Sequence, residues 1–423
     1  MGAERVTPEQ AVGQRFDIAI VGGGMVGASL AVALAPLGLE VVLIEASEHN
    51  SASQPSFDER TTALSNGSRQ ILETLGVWPG VQSSATPIRK IHISDQGRFG
   101  FARIDAAEQG LRAMGYVVPN RELGGALWSR LSANSGVHVR CPAGVADIQR
   151  GENSVALQIA QWAHAAAIET KLVVAADGVQ SAVRSAFGVD AESRDYEQTA
   201  IITTVLPQRF HDHVAYERFT GSGPLALLPL EGGRCALVLT VDRATAESAM
   251  AWSDAEFLAE VQRRFGFRLG RFLKVGRRVP YPLSLTRAAR TSAHRCVIVG
   301  NAAQGLHPVA GMGFNLGLRD VASLAELIAE RRHEPNFDAG AMGLLAEYDA
   351  WRAADRGGVI AFTDGLVRMF ANPLDVVQRL RNVGLLAFDL MPAAKAALSR
   401  LSTGAAGGGR TRIPKLARGV ALQ

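Results

Sequence analysis

Short apolar runs that end on glycine organise the chain. Phe16-Asp-Ile-Ala-Ile-Val is β-rich and stops at three successive glycines. Residues 25–37, dense in small side chains, then predict a helix, and Val41-Val-Leu-Ile-Glu45 predicts a second strand. Strand, glycine turn, helix and strand within about 30 residues predict a right-handed βαβ unit. Two more apolar strands follow the same rule. Lys171-Leu-Val-Val-Ala-Ala ends at Asp177-Gly178, and Arg295-Cys-Val-Ile-Val ends at Gly300-Asn301.

A different texture lies between them. Residues 86–118, and more clearly 196–290, alternate in short β-like runs at 199–206, 214–219, 224–230 and 235–241. They predict a mainly antiparallel sheet inserted into the parallel one. After Phe337 the pattern turns helical, through 366–380 and 384–401, before a Gly/Ala linker at 404–409 and a basic tail. No internal repeat is present. The expected class is α/β with an α+β two-domain layout. A Rossmann-like domain would comprise 1–85, 120–190 and 291–365, a sheet domain 86–119 and 191–290, and a basic helical segment 366–423.

Composition narrows the setting. A chain of 423 residues with 47% apolar and 20% charged residues and a mean hydropathy of +0.08 suits a globular protein with a sizeable core. Cys141, Cys235 and Cys296 are far apart and have no CxxC spacing, which argues against a disulfide framework or zinc site and for a reducing cytoplasm. Neither a signal-peptide layout nor an apolar run of about 20 residues is seen. The sequence pI is 9.1, yet the net charge is only +4. Nine basic residues against two acids give residues 367–423 a charge of +7, leaving about −3 on the rest. A positive C-terminal segment on a mildly acidic body argues against a nucleic-acid enzyme.

The glycines carry the chemistry. In Gly22-x-Gly24-x-x-Gly27 the first glycine allows a tight turn, the second a close pyrophosphate, and the third close packing of helix on strand. The phosphates would sit at the positive helix N-terminus. Glu45, at the end of the second strand, can accept hydrogen bonds from adenosine ribose hydroxyls. This unit suits NAD or FAD alike. Asp177-Gly178, followed by Ser181-Ala-Val-Arg184, adds a carboxylate and a cation on a second turn. The glycine-rich stretch 300–317 adds backbone N–H groups for a distant part of a longer ligand. Together they favour FAD.

These three segments resemble the group A flavoprotein aromatic hydroxylases, which share the para-hydroxybenzoate hydroxylase fold, over roughly residues 16–370. Gly300-Asn-Ala-Ala-Gln, His307-Pro308 and Gly311-x-Gly313-Phe-Asn-Leu-Gly-Leu-Arg319-Asp320 look most like the ubiquinone-biosynthesis hydroxylases. Within these, the branch indicated is 2-octaprenyl-6-methoxyphenol hydroxylase. Asp58-Glu-Arg60-Thr-Thr-Ala-Leu-Ser65 matches that branch's early signature. The resemblance implies Arg60 and Arg121 along the pyrophosphate and ribityl chain, and Asp177 in a turn serving both FAD and NAD(P)H. It implies Asn301 beside the ribityl hydroxyls, Gly313 and Phe314-Asn315 amides near the flavin pyrimidine ring, and Pro308 by the ring face where oxygen reacts. Two positions depart from the wider family: Asn301 replaces its usual Asp, which fits the branch named, and Met312 its usual Gln.

Bland readings stand beside these roles. His307 could cap a turn or act as acid–base, and Arg60 could be an exposed loop arginine. Tyr216, Arg218, Leu227 and Pro229 lie on the inserted sheet, where the family holds its substrate, and each could equally be a packing residue. The resemblance implies that NADPH or NADH reduces FAD and that the flavin with O2 hydroxylates a polyprenylated phenol. No metal-ligand spacing or Ser-His-Asp order stands out. A lipid-partitioning substrate and a basic tail suggest a cytoplasmic protein peripheral on an anionic inner membrane, with oligomeric or quinone-biosynthesis partners open. The alternatives are a hydroxylase of another aromatic, a prenyl-group reductase on the same fold, and a non-catalytic FAD-containing subunit. A flavin halogenase would be expected to carry a Trp-x-Trp pair, and none occurs.

Overall fold

Residues 14–48, 60–133, 136–160, 167–306, 311–371 and 412–422 are described by a computed structural model of the chain. Strand Arg15–Val21 lies between Val41–Ile44 and Ala167–Ala175, parallel to both. Val137–Arg140 and Cys296–Ile298 extend this sheet in parallel on either side. Ile18, Ala19, Ile20 and residues 41–43 have no exposed surface. Strands buried on both faces must be apolar throughout, which is why these runs do not alternate. Helices Met25–Leu34, Asn120–Ser132 and Met312–Arg331 cover one face. A hairpin of Val145–Arg150 and Val155–Ile159, with the short helix Ala182–Ala186, covers the other.

Small residues set the spacing between the helices. A Cβ on Gly317 would stand 3.0 Å from Val26 and 3.1 Å from the Gly300 Cα, so the long helix Met312–Arg331 can lie close on Met25–Leu34 only with glycine there. The third glycine segment is thereby held against the first.

Among the described residues the inserted sheet has nine strands. Ala191–Pro207, Cys235–Asp242, Gly223–Pro229 and Val214–Thr220 are successive antiparallel neighbours. Lys90–Asp95 joins in parallel beside Val214–Thr220, and Phe101–Asp105 pairs with it beyond. The stretch 86–118 is divided between two sheets. Thr86–Ile88 and Gly115–Pro119 form a separate three-stranded sheet with Thr61–Ser65, which the sequence pattern did not indicate. Helices Arg243–Ala251 and Asp254–Phe265 were also not anticipated. Both pack on one face of the large sheet, and a reciprocal Ser253–Glu256 capping box starts the second.

Helix Met342–Ala371 crosses the long helix, and the tail returns to it. Arg412 bonds Glu326 at 2.5 Å and also pairs with Glu330, which Lys415 approaches at 3.1 Å. Two cations of the basic segment thus serve internal ion pairs. Residues 372–411, with most of the two expected helical stretches, lie outside the described residues. Among the described residues no helix is long and apolar enough to cross a membrane.

One buried carboxylate joins these layers. Asp320 has no exposed surface. It accepts hydrogen bonds from Arg352 at 2.8 Å, from the Gln304 amide at 3.0 Å and from the Gly300 N–H at 3.4 Å. Arg352 also reaches Asp355 at 2.5 Å, which Arg319 meets at 2.8 Å. Burial acts to lower the Arg352 pKa, but the facing Asp320 and Asp355 carboxylates outweigh it and push it above its ordinary value. Arg352→Met should leave Asp320 with only the more distant Arg356, at 4.0 Å, as a cation, costing up to about 3–5 kcal/mol. Thermal unfolding should show a fall of several degrees, and the Asp320→Asn/Arg352→Met double variant should recover part of it. An unchanged Tm in the single variant would show that the pair is not needed for stability.

Candidate cofactor site

The first glycine turn is shaped by contacts that no side chain could share. Gly22 has φ +106°, and a Cβ there would meet the Ala176 carbonyl oxygen at 2.4 Å. A Cβ on Gly27 would stand 1.9 Å from the Gly22 oxygen. The helix that follows has Gly24 as its N-cap with no side-chain cap, so its first N–H groups face the crevice without a side-chain acceptor. A bare N-terminus with a partial positive charge fits an anionic pyrophosphate.

Glu45 stands at the crevice edge, nearly buried. It accepts the Gly23 N–H at 2.5 Å and the Ser47 N–H at 2.8 Å. These bonds fix the carboxylate and leave further lone pairs for a ribose diol. Beneath the turn, Trp128 Nε1 donates to the Gly23 oxygen at 3.2 Å. Sequence reasoning missed Trp128, because only the packing of helix Asn120–Ser132 brings it there.

Asp177 caps rather than reaches outward. It accepts the Ser181 hydroxyl and the Val183 N–H, the latter at 3.1 Å, and so anchors helix Ala182–Ala186. Arg184, which the sequence offered only as a cation on the turn, is buried and donates to the Ala302 oxygen at 2.7 Å. It ties the Asp177 turn to the third glycine segment. Asn301 is exposed on that segment's short helical turn, Gly300–Ala302.

The long helix supplies a second bare N-terminus. Its N-cap is Gly311, in the left-handed region at φ +59° with no side-chain cap, followed by Met312, Gly313 and Phe314. The Asn315 side chain is committed elsewhere. It donates to the Ala63 oxygen at 2.8 Å and the Gly311 oxygen at 2.7 Å, and accepts the Ser65 N–H at 2.8 Å. This clamp docks strand Thr61–Ser65 against the helix start. Arg60 precedes that strand, and the Asn120 N–H donates to its carbonyl at 2.9 Å, which brings Arg60 and Arg121 to the same edge. The Arg60 guanidinium lies over the Tyr281 ring at 4.5 Å, bridging to the inserted sheet. His307 and Pro308 lie outside the described residues.

The inserted sheet turns its other candidates away. Tyr216 and Leu227 are buried in the core beneath helix Asp254–Phe265, with the Tyr216 ring edge-on to Phe265 at 5.3 Å. Arg218 donates to the Arg264 oxygen at 2.9 Å on the same side, and Pro229 shares that face by its two-residue spacing. The opposite face carries Ala215, Ala236 and Leu228, which pack with Ala63 and Val117 of the three-stranded sheet and with Met114 just before it. Tyr281, on that same face, lies under Arg60 at the crevice edge. Among the described residues no cluster of His, Cys, Asp or Glu could hold a metal.

Two bare helix N-termini, a glycine cradle and a fixed carboxylate on one crevice fit a long dinucleotide such as FAD. Comparison with known proteins agrees. The model of the FAD binding domain family matches residues 15–362. Ubiquinone hydroxylase UbiL of Rhodospirillum rubrum is 39% identical over 96% of this chain and 93% of its own length. The 3-demethoxyubiquinol 3-hydroxylase of Escherichia coli is 33% identical over 89% and 95%. The crystal structure of p-nitrophenol 4-monooxygenase PnpA from Pseudomonas putida DLL-E4 shares the fold, with a TM-score of 0.74 at 20% identity over 91% of this chain and 97% of that one. Glu45→Ala should weaken FAD binding about 10- to 100-fold, the usual effect of losing a hydrogen bond to a charged group. Flavin fluorescence titration of apoprotein measures this, and an unchanged Kd would remove Glu45 from the cofactor site.

Proposed function

We propose a substrate and a reaction for this chain, which belongs to the FAD binding domain family and, within it, to the ubiquinone hydroxylases. It is an FAD-dependent aromatic monooxygenase. The substrate we assign is a polyprenylated phenol of ubiquinone biosynthesis, in the first instance 2-octaprenyl-6-methoxyphenol. Gly300-Asn301 and the 58–65 segment support that branch. The observation that carries the reading is an apolar sheet face set beside the bare N-terminus of helix Met312–Arg331.

FAD, reduced by NADPH or NADH, supplies the activation of O2 that ring hydroxylation needs. The protein's part is position and exclusion. The amides of Gly313 and Phe314 are the donors we assign to the flavin pyrimidine ring, and exposed Asn301 the partner of the ribityl hydroxyls. Arg60 and Arg121 take the pyrophosphate side. Ala226, Leu228 and Val238 line the sheet face with hydrocarbon, which favours an aromatic ring over water. A lipid-partitioning substrate favours work at an anionic inner-membrane surface, toward which the remaining cations of residues 367–423 would contribute about 1 kcal/mol each.

The identity of the E. coli relative raises a second substrate, a demethoxyquinol. Mass spectrometry of quinone intermediates in a deletion strain separates the two. Accumulation of the methoxyphenol is the expected outcome, and accumulation of a demethoxy intermediate would move the assignment. With purified holoenzyme under 18O2, the product should carry one labelled oxygen. NADPH consumption with an unlabelled, reduced product would point instead to a prenyl-group reductase.

A further inference from the structure

Among the described residues, the face of the inserted sheet turned away from helices Arg243–Ala251 and Asp254–Phe265 holds one acid with no partner. Across the middle of this face the register sets Glu217 beside Ala226, then Val238, Ile202 and Val279. On the other side of Glu217 lies Ile93. All six residues are half-buried, whereas Tyr216, Leu227, Leu237 and Ile201, on the reverse face, are buried under the helices. Glu217 is the only ionisable member of this row.

A carboxyl group among hydrocarbon needs a partner or a route to water. Among the described residues Glu217 has neither a hydrogen-bond donor nor a cation facing it. The neighbouring arginine, Arg218, points to the opposite face and is engaged with Arg264 and Ser94. Glu217 retains accessible surface, yet burial alone pushes its carboxyl up to about 7. Those two facts place it on the wall of an enclosed space rather than on the outer surface. Its cross-strand neighbour is alanine, so a flat group can lie beside the carboxyl without meeting a bulky side chain. Leu228, one step along, packs near Ala63, and Ala63 touches the Gly311 turn that opens the long helix. The acid therefore faces the space next to the flavin end of the crevice.

We infer that Glu217 is the group that recognises the substrate's phenol: the phenolic O–H donates to a Glu217 carboxylate oxygen while the ring lies over Ala226, against Leu228 and Val238. The inference rests on the phenol-hydroxylase reading above. The hydrogen bond fixes which edge of the ring faces the cofactor, and by drawing on the phenolic proton it enriches the ring in electrons. A substrate without the O–H would leave Glu217 unpaired and lose the bond.

The test is a binding measurement without NADPH, so that no turnover occurs. Oxidised holoenzyme is titrated with a geranylated 2-methoxyphenol and with its O-methyl ether, following the flavin absorbance. Above pH 8, where the raised Glu217 carboxyl is ionised, wild type should prefer the phenol about 10-fold or more, the range expected of a hydrogen bond to a charged acceptor. Glu217→Leu should abolish that preference and bind the ether at least as well as wild type. Glu217→Gln keeps an acceptor oxygen and should fall between them, and it serves if the leucine variant fails to retain FAD. A full preference in both variants would overturn the role of Glu217 and leave the hydroxylase reading standing. If wild type bound neither compound, the reading itself would fall, and the inference with it.

Discussion

The buried carboxylate of Asp320 is the constraint on which the rest of the architecture turns. A charge in the dry interior is tolerated only where every lone pair is answered. Here the answers come from Arg352 on one helix, and from Gln304 within the third glycine segment and the Gly300 N–H at its start. Segments more than 50 residues apart in the chain are thus fixed around one atom group. The third glycine segment cannot swing away from the parallel sheet without exposing that charge. Nor can the start of the long helix, which Asn315 in turn locks to strand Thr61–Ser65. The placement of Arg60 at the crevice edge follows from this chain of contacts.

That network marks the limit of what the sequence makes legible. The βαβ unit can be read directly because its logic is local: an apolar run, glycines at fixed spacing, and an acid at the next strand's end. Asp320 could be noticed only as part of a pattern, since its partners sit at positions 304 and 352. The inserted sheet is a sharper case. Its runs of alternation reveal strands, but both faces are apolar, and only the register and the helices 243–265 decide which face is covered. Tyr216, Arg218, Leu227 and Pro229 share one face, as their spacing requires. That face proves to be the packed one, and the open face belongs to the residues offset by a single position.

Charge counting has a similar limit. The +7 of the last residues is a sum over the chain, and it says nothing of partners. Arg412 and Lys415 are held by Glu326 and Glu330, so the tail is in part a strap across the long helix. Its neutralised cations add little to an external field, whatever the segment between them contributes.

The same accounting, applied inside the crevice, explains its polarity. Asp177 is occupied in capping a helix, Asp320 is neutralised by Arg352, and position 301 carries an amide where the wider family carries a carboxylate. Glu45 is bonded by two backbone N–H groups. The cofactor wall is therefore positive, through two uncapped helix starts with Arg60 and Arg121 at its edge, which suits phosphates and an electron-rich flavin edge. On the facing wall, the middle row of the sheet holds one ionisable group among the described residues, the Glu217 carboxyl. A ligand placed between the walls meets donors on one side and a single acceptor on the other. That asymmetry would orient a phenol without any charged clamp, which suits a long hydrocarbon-bearing substrate that must enter and leave an apolar slot.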